Sequence, residues 1–206
     1  MSINMQKLPK KRFTLSKFTL SLPNAPKGFT LIELLVVISI IGVLSVIGLN
    51  SFGSARVKSR DSNRKSDLSA VSKALELYYN DQGEYPDDDS GSIVGCGDST
   101  TPATCTWGDT FQNPTTGEVY MITLPDDSNS TYDYYYESFT VSGINTSYQL
   151  YARLENTRDI AVGKDVDDAP QVYGTLLCGT LGCNYGVSSS NITLEDNSHD
   201  LVTEEE

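Results

Sequence analysis

Four cysteines are the most reactive side chains of this sequence: Cys96, Cys105, Cys178 and Cys183. An even number favours disulfides, which form in oxidising compartments outside the cytoplasm. Four cysteines permit three connectivities, and the simplest joins the local pairs 96–105 and 178–183, because each pair closes a short loop. Zinc binding and free thiols are the alternatives, although neither pair has the C-x₂-C spacing of a zinc knuckle. We expect two local disulfides in an exported region.

Clustered carboxylates could bind calcium, and Asp165, Asp167 and Asp168 begin like a calcium-binding loop. The third ligand position and the glycine that such a loop needs are missing. A solvated acidic turn is the simpler interpretation. We therefore expect no cofactor, with calcium as a weak alternative.

Catalytic side chains are scarce. The sequence has one histidine, His199, which lies in an acidic C-terminal segment. The rest of the chain therefore has no histidine for a Ser/His/Asp or Cys/His set, and it has no phosphate-binding loop. These observations predict that the protein is not an enzyme.

Charge is distributed unevenly along the sequence. Residues 1–28 hold six basic side chains and no acidic one, whereas the chain from residue 74 onward holds 24 acidic and three basic residues. A region this acidic repels the phosphate backbone of DNA and RNA, so we expect no nucleic acid partner. The acidity also keeps a domain soluble.

Glu33 is the one charged residue in an apolar run over residues 29–49. Twenty-one residues are enough to span a bilayer core of about 30 Å as a helix. A carboxylate there costs about 2.5–3.5 kcal/mol on insertion scales, so it should have a partner or reach the headgroups. A secretory signal peptide and a plain signal anchor are alternatives, but the first has a shorter apolar region and neither has a use for the carboxylate.

The residues before this run, Lys27-Gly28-Phe29, with Glu33 four places after Phe29, resemble the processing site of type IV pilins and type II secretion pseudopilins. The resemblance implies that a membrane-embedded prepilin peptidase cuts between Gly28 and Phe29 and N-methylates Phe29. It also implies that Glu33 meets the N-terminal amine of a neighbouring subunit in a helical filament. Gly28 suits an extended backbone entering a protease cleft, and the basic leader suits the cytoplasmic side.

The resemblance therefore implies a structural subunit of a type IV pilus, handled by pilus or type II secretion machinery. It implies a single-pass protein of the cytoplasmic membrane, with a cytoplasmic N-terminus before assembly and an extracytoplasmic or cell-surface filament afterwards. A type II secretion pseudopilin is the first alternative, and a membrane-anchored extracytoplasmic binding protein is the second. Many pilins carry a proline in this helix, but here none occurs between Pro26 and Pro86.

A long helix must carry these residues. Apolar side chains recur at three- and four-residue spacing beyond the membrane run, which predicts one helix from about residue 30 to about residue 80. Charged residues on other faces complete an amphipathic pattern, and the turn after residue 80 with Tyr85-Pro86 should end the helix. The apolar stripe contains Leu68, Val71, Leu75 and Tyr78, and the other faces carry Asp61, Arg64, Asp67 and Lys73.

Alternating residues predict three antiparallel strands that cover this stripe, within residues 118–124, 132–141 and 147–155. Residues 87–116 have the composition of a loop. The predicted fold is α+β, with a long N-terminal helix on a small antiparallel sheet. The predicted segments are a leader (1–28), the helix (29–85, membrane-spanning over 29–49), a disulfide-bonded β head (86–187) and an acidic mobile tail (188–206).

Overall fold

One helix, α1, occupies Leu31–Gln82 in the computed structural model of the chain, which confirms the predicted long helix. No proline interrupts it. It ends at Gly83, whose φ of 79° is left-handed and whose amide donates to the carbonyl oxygen of Tyr79 at 2.8 Å. A left-handed glycine is a common end for a helix, because other residues are strained in that conformation.

The structure describes residues 28–98, 101–113, 115–194 and 199–203. These residues divide into two compact units, one up to Ile47 and one from Gly48 onward. The predicted leader lies outside the described residues except for Gly28.

All strands follow α1 and pair antiparallel in small sheets. The three-stranded sheets have the orders β1-β2-β3 and β11-β7-β6, and three further pairs are β4-β5, β9-β10 and β8-β12. The strands are β1 Asp87–Asp89, β2 Ser92–Asp98, β3 Thr101–Thr104, β4 Phe111–Gln112, β5 Val119–Met121, β6 Tyr135–Val141, β7 Ile144–Ala152, β8 Gln171–Tyr173, β9 Leu177–Cys178, β10 Leu181–Gly182, β11 Tyr185–Ser188 and β12 Leu201–Thr203.

Sheet β11-β7-β6 covers the apolar stripe of α1. Leu68, Val71 and Leu75 are fully buried and share one core with Tyr148 and Leu150 of β7. The α+β prediction is confirmed. The strand composition of the sheet was predicted wrongly in one respect, because β5 pairs with β4 and the third strand of this sheet is β11.

Residues 87–116 are not the loop that their composition predicts, because they contain β1, β2, β3 and β4. These strands are short, and β2 and β3 form a hairpin with an irregular register. A disulfide between Cys96 and Cys105 joins this hairpin, with the two Cα atoms 5.1 Å apart. Backbone pairing and the covalent link here outweigh the weak strand preference of Gly, Pro and Asp.

A second disulfide joins Cys178 to Cys183 across the β9-β10 hairpin, also with a Cα–Cα distance of 5.1 Å. Both linkages are the local pairs that the sequence favours, and no cysteine among the four is free. Cys178 and Cys183 are fully buried beside Tyr151 and Tyr173. The linkage therefore also forms part of a small second core.

The segment predicted as a mobile tail is attached to the head wherever it is described. β12 pairs with β8, and the Tyr151 hydroxyl donates to the carbonyl oxygen of Leu194 at 2.7 Å. His199 lies 2.6 Å from the Glu137 carboxylate and edge-on to the Tyr151 ring. The polar composition did not predict this short strand or these long-range contacts, and the mobility of the segment stays a prediction.

Candidate processing and assembly site

The start of α1 is a capping box formed by Glu33, which the sequence analysis singles out, and Thr30. The Thr30 amide and the Thr30 hydroxyl both donate to Glu33 Oε2 at 2.8 Å, and the Glu33 amide donates to Thr30 Oγ1 at 3.3 Å. This reciprocal pair satisfies amide groups that have no partner inside a helix. Within one chain, Thr30 is therefore the partner of Glu33, and the Thr-x-x-Glu pattern that signals it is readable in the sequence.

Gly28 and Phe29 precede the helix and are open to solvent. Phe29 is 89% exposed, and a Cβ placed on Gly28 would meet no atom within 4 Å. Among the residues that the structure describes, none thus requires a glycine at position 28. A requirement for glycine there must come from a molecule that handles this segment.

The apolar side chains in the first turns of α1 are exposed in the described part of the chain. Leu31, Ile32, Leu34 and their neighbours through Leu44 are exposed. A helix that is apolar on every side is normally buried in protein or lipid. By length and mean hydropathy, no helix in the described part of the chain qualifies as a membrane span.

A buried ion cluster fixes the second half of α1 to the head. The Arg64 guanidinium donates to Asp61 at 2.8 Å, to Asp127 at 2.9 Å and to Glu155 at 2.8 Å. Arg64, Asp61 and Asp127 are all almost fully buried. Asp61 also accepts the amides of Glu155 and Asn156, each at 2.9 Å.

The sequence prediction placed Asp61 and Arg64 on faces of α1 away from the packed stripe, and the structure corrects this. Burial by itself lowers the pKa of the Arg64 guanidinium, but its hydrogen bonds to Asp127 and Glu155 outweigh burial and raise the pKa. Arg64 thus stays charged, and its carboxylate partners make the burial possible. The cluster joins α1 to the loop before β6 and to the segment after β7.

Two further ion pairs lie beside this cluster, and both are more exposed than the cluster itself. Arg60 pairs with Glu155, and Lys65 Nζ lies 2.5 Å from the Asp159 carboxylate. Hydrogen bonds from Arg60 lower the pKa of Glu155, while burial opposes them. Burial raises the pKa of Asp159, but its hydrogen bonds with Lys65 and the Ala161 amide outweigh burial and lower it.

These lowered pKa values predict acid sensitivity. A carboxyl group whose pKa is lower in the folded state adds stability above its unfolded pKa and loses that contribution as pH falls through its folded pKa. We therefore expect the urea midpoint of the full chain in detergent to fall as pH drops below about 4.3, the ordinary Glu value. Glu155→Gln should flatten this dependence, whereas Glu118→Gln, at an exposed site, should not. Equal slopes for the two variants would contradict the assignment.

Two of the three predicted calcium residues, Asp165 and Asp168, have carboxylates that already contact other groups of the chain. Asp165 Oδ1 accepts the amides of Asp167 and Ala169, and Asp165 Oδ2 accepts the Thr203 hydroxyl. Asp168 pairs with Lys164 at 2.7 Å. No group of three metal-binding side chains converges anywhere in the described residues.

The N-terminal region of the chain matches a known sequence motif. Residues 23–49 match the prokaryotic N-terminal methylation motif. This range contains the predicted cleavage position after Gly28, the exposed Phe29 and the Thr30–Glu33 capping box. No solved structure matches the chain.

Curated relatives include both pilins and secretion proteins. The chain is 36% identical over 61 residues to the type IV major pilin protein PilA of Myxococcus xanthus, covering 30% of this chain and 28% of the relative. It is 35% identical over 81 residues to the type IV wide pilus major component PilA4 of Thermus thermophilus, covering 39% of this chain and 61% of the relative. It is 37% identical over 65 residues to the type II secretion system core protein G of Escherichia coli, covering 32% of this chain and 45% of the relative.

Each alignment spans less than two thirds of the relative's own length. The relatives' names describe components of pili or of a secretion system, and the motif describes N-terminal processing. Over part of its length the chain is thus similar to type IV pilins and to type II secretion core proteins, and its residues 23–49 carry the N-terminal methylation motif.

Proposed function

We propose that this chain is a structural subunit of a type IV pilus, made as a precursor and polymerised through α1. The observation that carries the proposal is the set of Gly28, Phe29 and Glu33 inside the methylation motif, at the start of a helix whose apolar side chains are exposed in the described part of the chain. Pilus components among the relatives support it.

In this proposal the basic leader stays in the cytoplasm while residues 29–49 cross the cytoplasmic membrane. Prepilin peptidase cuts after Gly28 and methylates the new amine of Phe29. The head folds outside the cytoplasm, where its two disulfides are stable. Exposed apolar side chains of α1 leave lipid only when they pack against other copies, so membrane anchoring precedes filament growth.

Glu33 supplies the charge that orders this assembly. The amine of Phe29 is a positive charge that an apolar bundle accepts only with a partner. A carboxylate one helical turn away on a neighbouring copy provides that partner and fixes the axial register. Thr30 holds the Glu33 side chain at the helix start until the neighbour arrives.

Processing gives the first test. Mature protein should begin at Phe29 with an N-methyl group, and Gly28→Val should prevent the cut, because a branched side chain collides with a cleft that fits an extended glycine. The open space around Gly28 means that this change leaves the fold of the chain intact. Intact mass spectrometry of membrane fractions measures both.

Ala25→Val is the control, since it adds the same side chain upstream of the junction. It should be cleaved normally. A mature start at Met1, or at any residue after Ala55, in the unaltered chain would exclude the proposal.

A type II secretion pseudopilin is the second candidate, favoured by the similarity to core protein G of Escherichia coli. Both candidates share processing and polymerisation, so the readout that separates them is the destination. Long filaments sheared from the cell surface support a pilus. Short filaments that never reach the surface, together with loss of exoprotein export when the gene is deleted, support a pseudopilin.

A further inference from the structure

A positively charged cleft lies beside the ion cluster, between α1 and the segment that follows β7. It has a volume of about 380 Å³. Val57 and Lys58 line it from α1, and Asn156 and Arg158 line it from the opposite side. All four belong to the unit that begins at Gly48.

The two cations of this cleft are not neutralised within the described part of the chain. Lys58 and Arg158 are exposed and form no ion pair there, whereas the neighbouring Arg60, Arg64 and Lys65 all do. Glu155 also lines the cleft, but it is already paired with Arg60 and Arg64. The cleft therefore presents net positive charge to whatever occupies it.

The opposite charge lies further along the same helix, at its C-terminus. Asp81 and Glu84 are exposed and form no ion pair among the described residues, and the last turn of α1 has no basic residue. Acidic groups at a helix C-terminus are unfavourable, because they add to the negative end of the helix dipole. Asp81 lies 23 positions after Lys58, about 35 Å along the helix.

We propose that the cation cleft, lined by Lys58 and Arg158, receives the acidic end of α1, with Asp81 and Glu84, from a second copy of this chain. The proposal rests on the proposed filament function and names the surfaces that meet in it. Two different patches that fit each other make a head-to-tail contact, which leaves one free patch of each kind and grows as an open filament rather than a closed dimer.

Charge balance favours a second copy over an anionic lipid or nucleic acid as the occupant. From residue 74 onward the chain has 24 acidic and three basic residues, so neighbouring copies repel one another. Of those three bases, Lys164 is paired with Asp168 and Arg153 donates to the carbonyl oxygen of Gly182, which leaves Arg158 to face another molecule. When Arg158 lies against the carboxylates of a neighbouring copy, attraction replaces part of the repulsion between the acidic copies. The same contact sets their register.

The test is charge reversal in the full chain as the only copy of the subunit. Lys58→Glu with Arg158→Glu should lower the amount of sheared filament by about tenfold or more, because two attractive pairs become repulsive. Adding Asp81→Lys with Glu84→Lys restores complementarity and should recover filaments. Lys73→Glu, at an exposed position of α1 away from the cleft, should have little effect.

Cleavage blots and non-reducing gels on the same strains check that every variant is processed and forms its disulfides. Normal filament yield from the cleft variant overturns the proposal while leaving the pilus function standing. If the variant with all four charge reversals does not recover filaments, Asp81 and Glu84 are not the partners of the cleft. Absence of filaments in the unaltered strain contradicts the pilus function itself.

Discussion

Replacing Arg64 by methionine is expected to lower the free energy of unfolding by about 3–5 kcal/mol, the range for breaking a buried ion pair from one side. The reason is the fate of its partners. Asp61 and Asp127 are almost fully buried, and both would keep a negative charge with no cation beside it. Urea unfolding of the full chain in detergent, followed through the single tryptophan, Trp107, measures the change.

Arg60→Met is the matched control, because Arg60 lies one turn earlier on α1 and also pairs with Glu155. Its side chain is 33% exposed against 2% for Arg64. We expect a much smaller loss of stability than for Arg64→Met, because exposed ion pairs are weakened by solvent screening and contribute little. Similar losses for Arg60→Met and Arg64→Met would show that burial does not set the strength of the Arg64 cluster.

A double variant tests the mechanism behind the loss. Arg64→Met combined with Asp127→Asn removes the cation and one of the stranded carboxylates together. It should be more stable than Arg64→Met alone, since groups in one ionic network do not act additively. If Asp127→Asn lowers the stability of the Arg64→Met variant as much as it lowers that of the unaltered chain, the loss comes from packing and not from unpaired charge.

The helix was predictable because its signals are local and repeated. Leu68, Val71 and Leu75 recur with the period of a helix, and no proline interrupts them, so both the element and its buried face follow from spacing. Tyr148 and Leu150 alternate in the same way on β7. Local patterns of this kind give the element and its face, and the pairing of β6 with β7 follows from the short turn between them.

Strand partners were harder to predict because they depend on residues far apart in the sequence. β11 lies beside β7 although more than thirty residues separate them along the chain. β5 lies nearer in sequence but pairs with β4 instead. β1 to β3 contain Asp, Gly and Pro, which strands do not favour, and backbone pairing with a disulfide compensates for that composition.

The candidate site also contains one feature that local sequence predicts and one that depends on distant residues. The Thr30–Glu33 capping box spans four residues and could be found from its pattern. The Arg64 cluster could not, because Asp127 and Glu155 come from distant segments and a charged residue on a helix normally faces water. Asp61 and Arg64, three apart on α1, gave the one local hint of a pair.

Replacing Glu33 by alanine is expected to abolish or strongly reduce filament assembly while sparing both membrane insertion and the cut after Gly28. The change makes the apolar run more apolar, and it lies outside the junction that the peptidase reads. Assembly fails because each incoming copy brings the Phe29 amine into an apolar bundle without a partner, which costs several kcal/mol, and loses the contact that sets its register. Glu33→Asp should be intermediate, because its shorter side chain reaches less well. A filament-shearing assay beside a cleavage blot measures both steps.

The capping box supplies the controls that separate charge from helix capping. Glu33→Gln can still accept the Thr30 hydrogen bonds but carries no charge, so it should fail as Glu33→Ala does. Thr30→Val removes the hydroxyl that caps Glu33 and keeps the carboxylate, so it should still assemble. If Glu33→Gln assembles and Thr30→Val does not, Glu33 acts by starting the helix and the charge pairing is wrong. Normal filaments from Glu33→Ala as the only copy would contradict the pairing of Glu33 with the Phe29 amine of a neighbour.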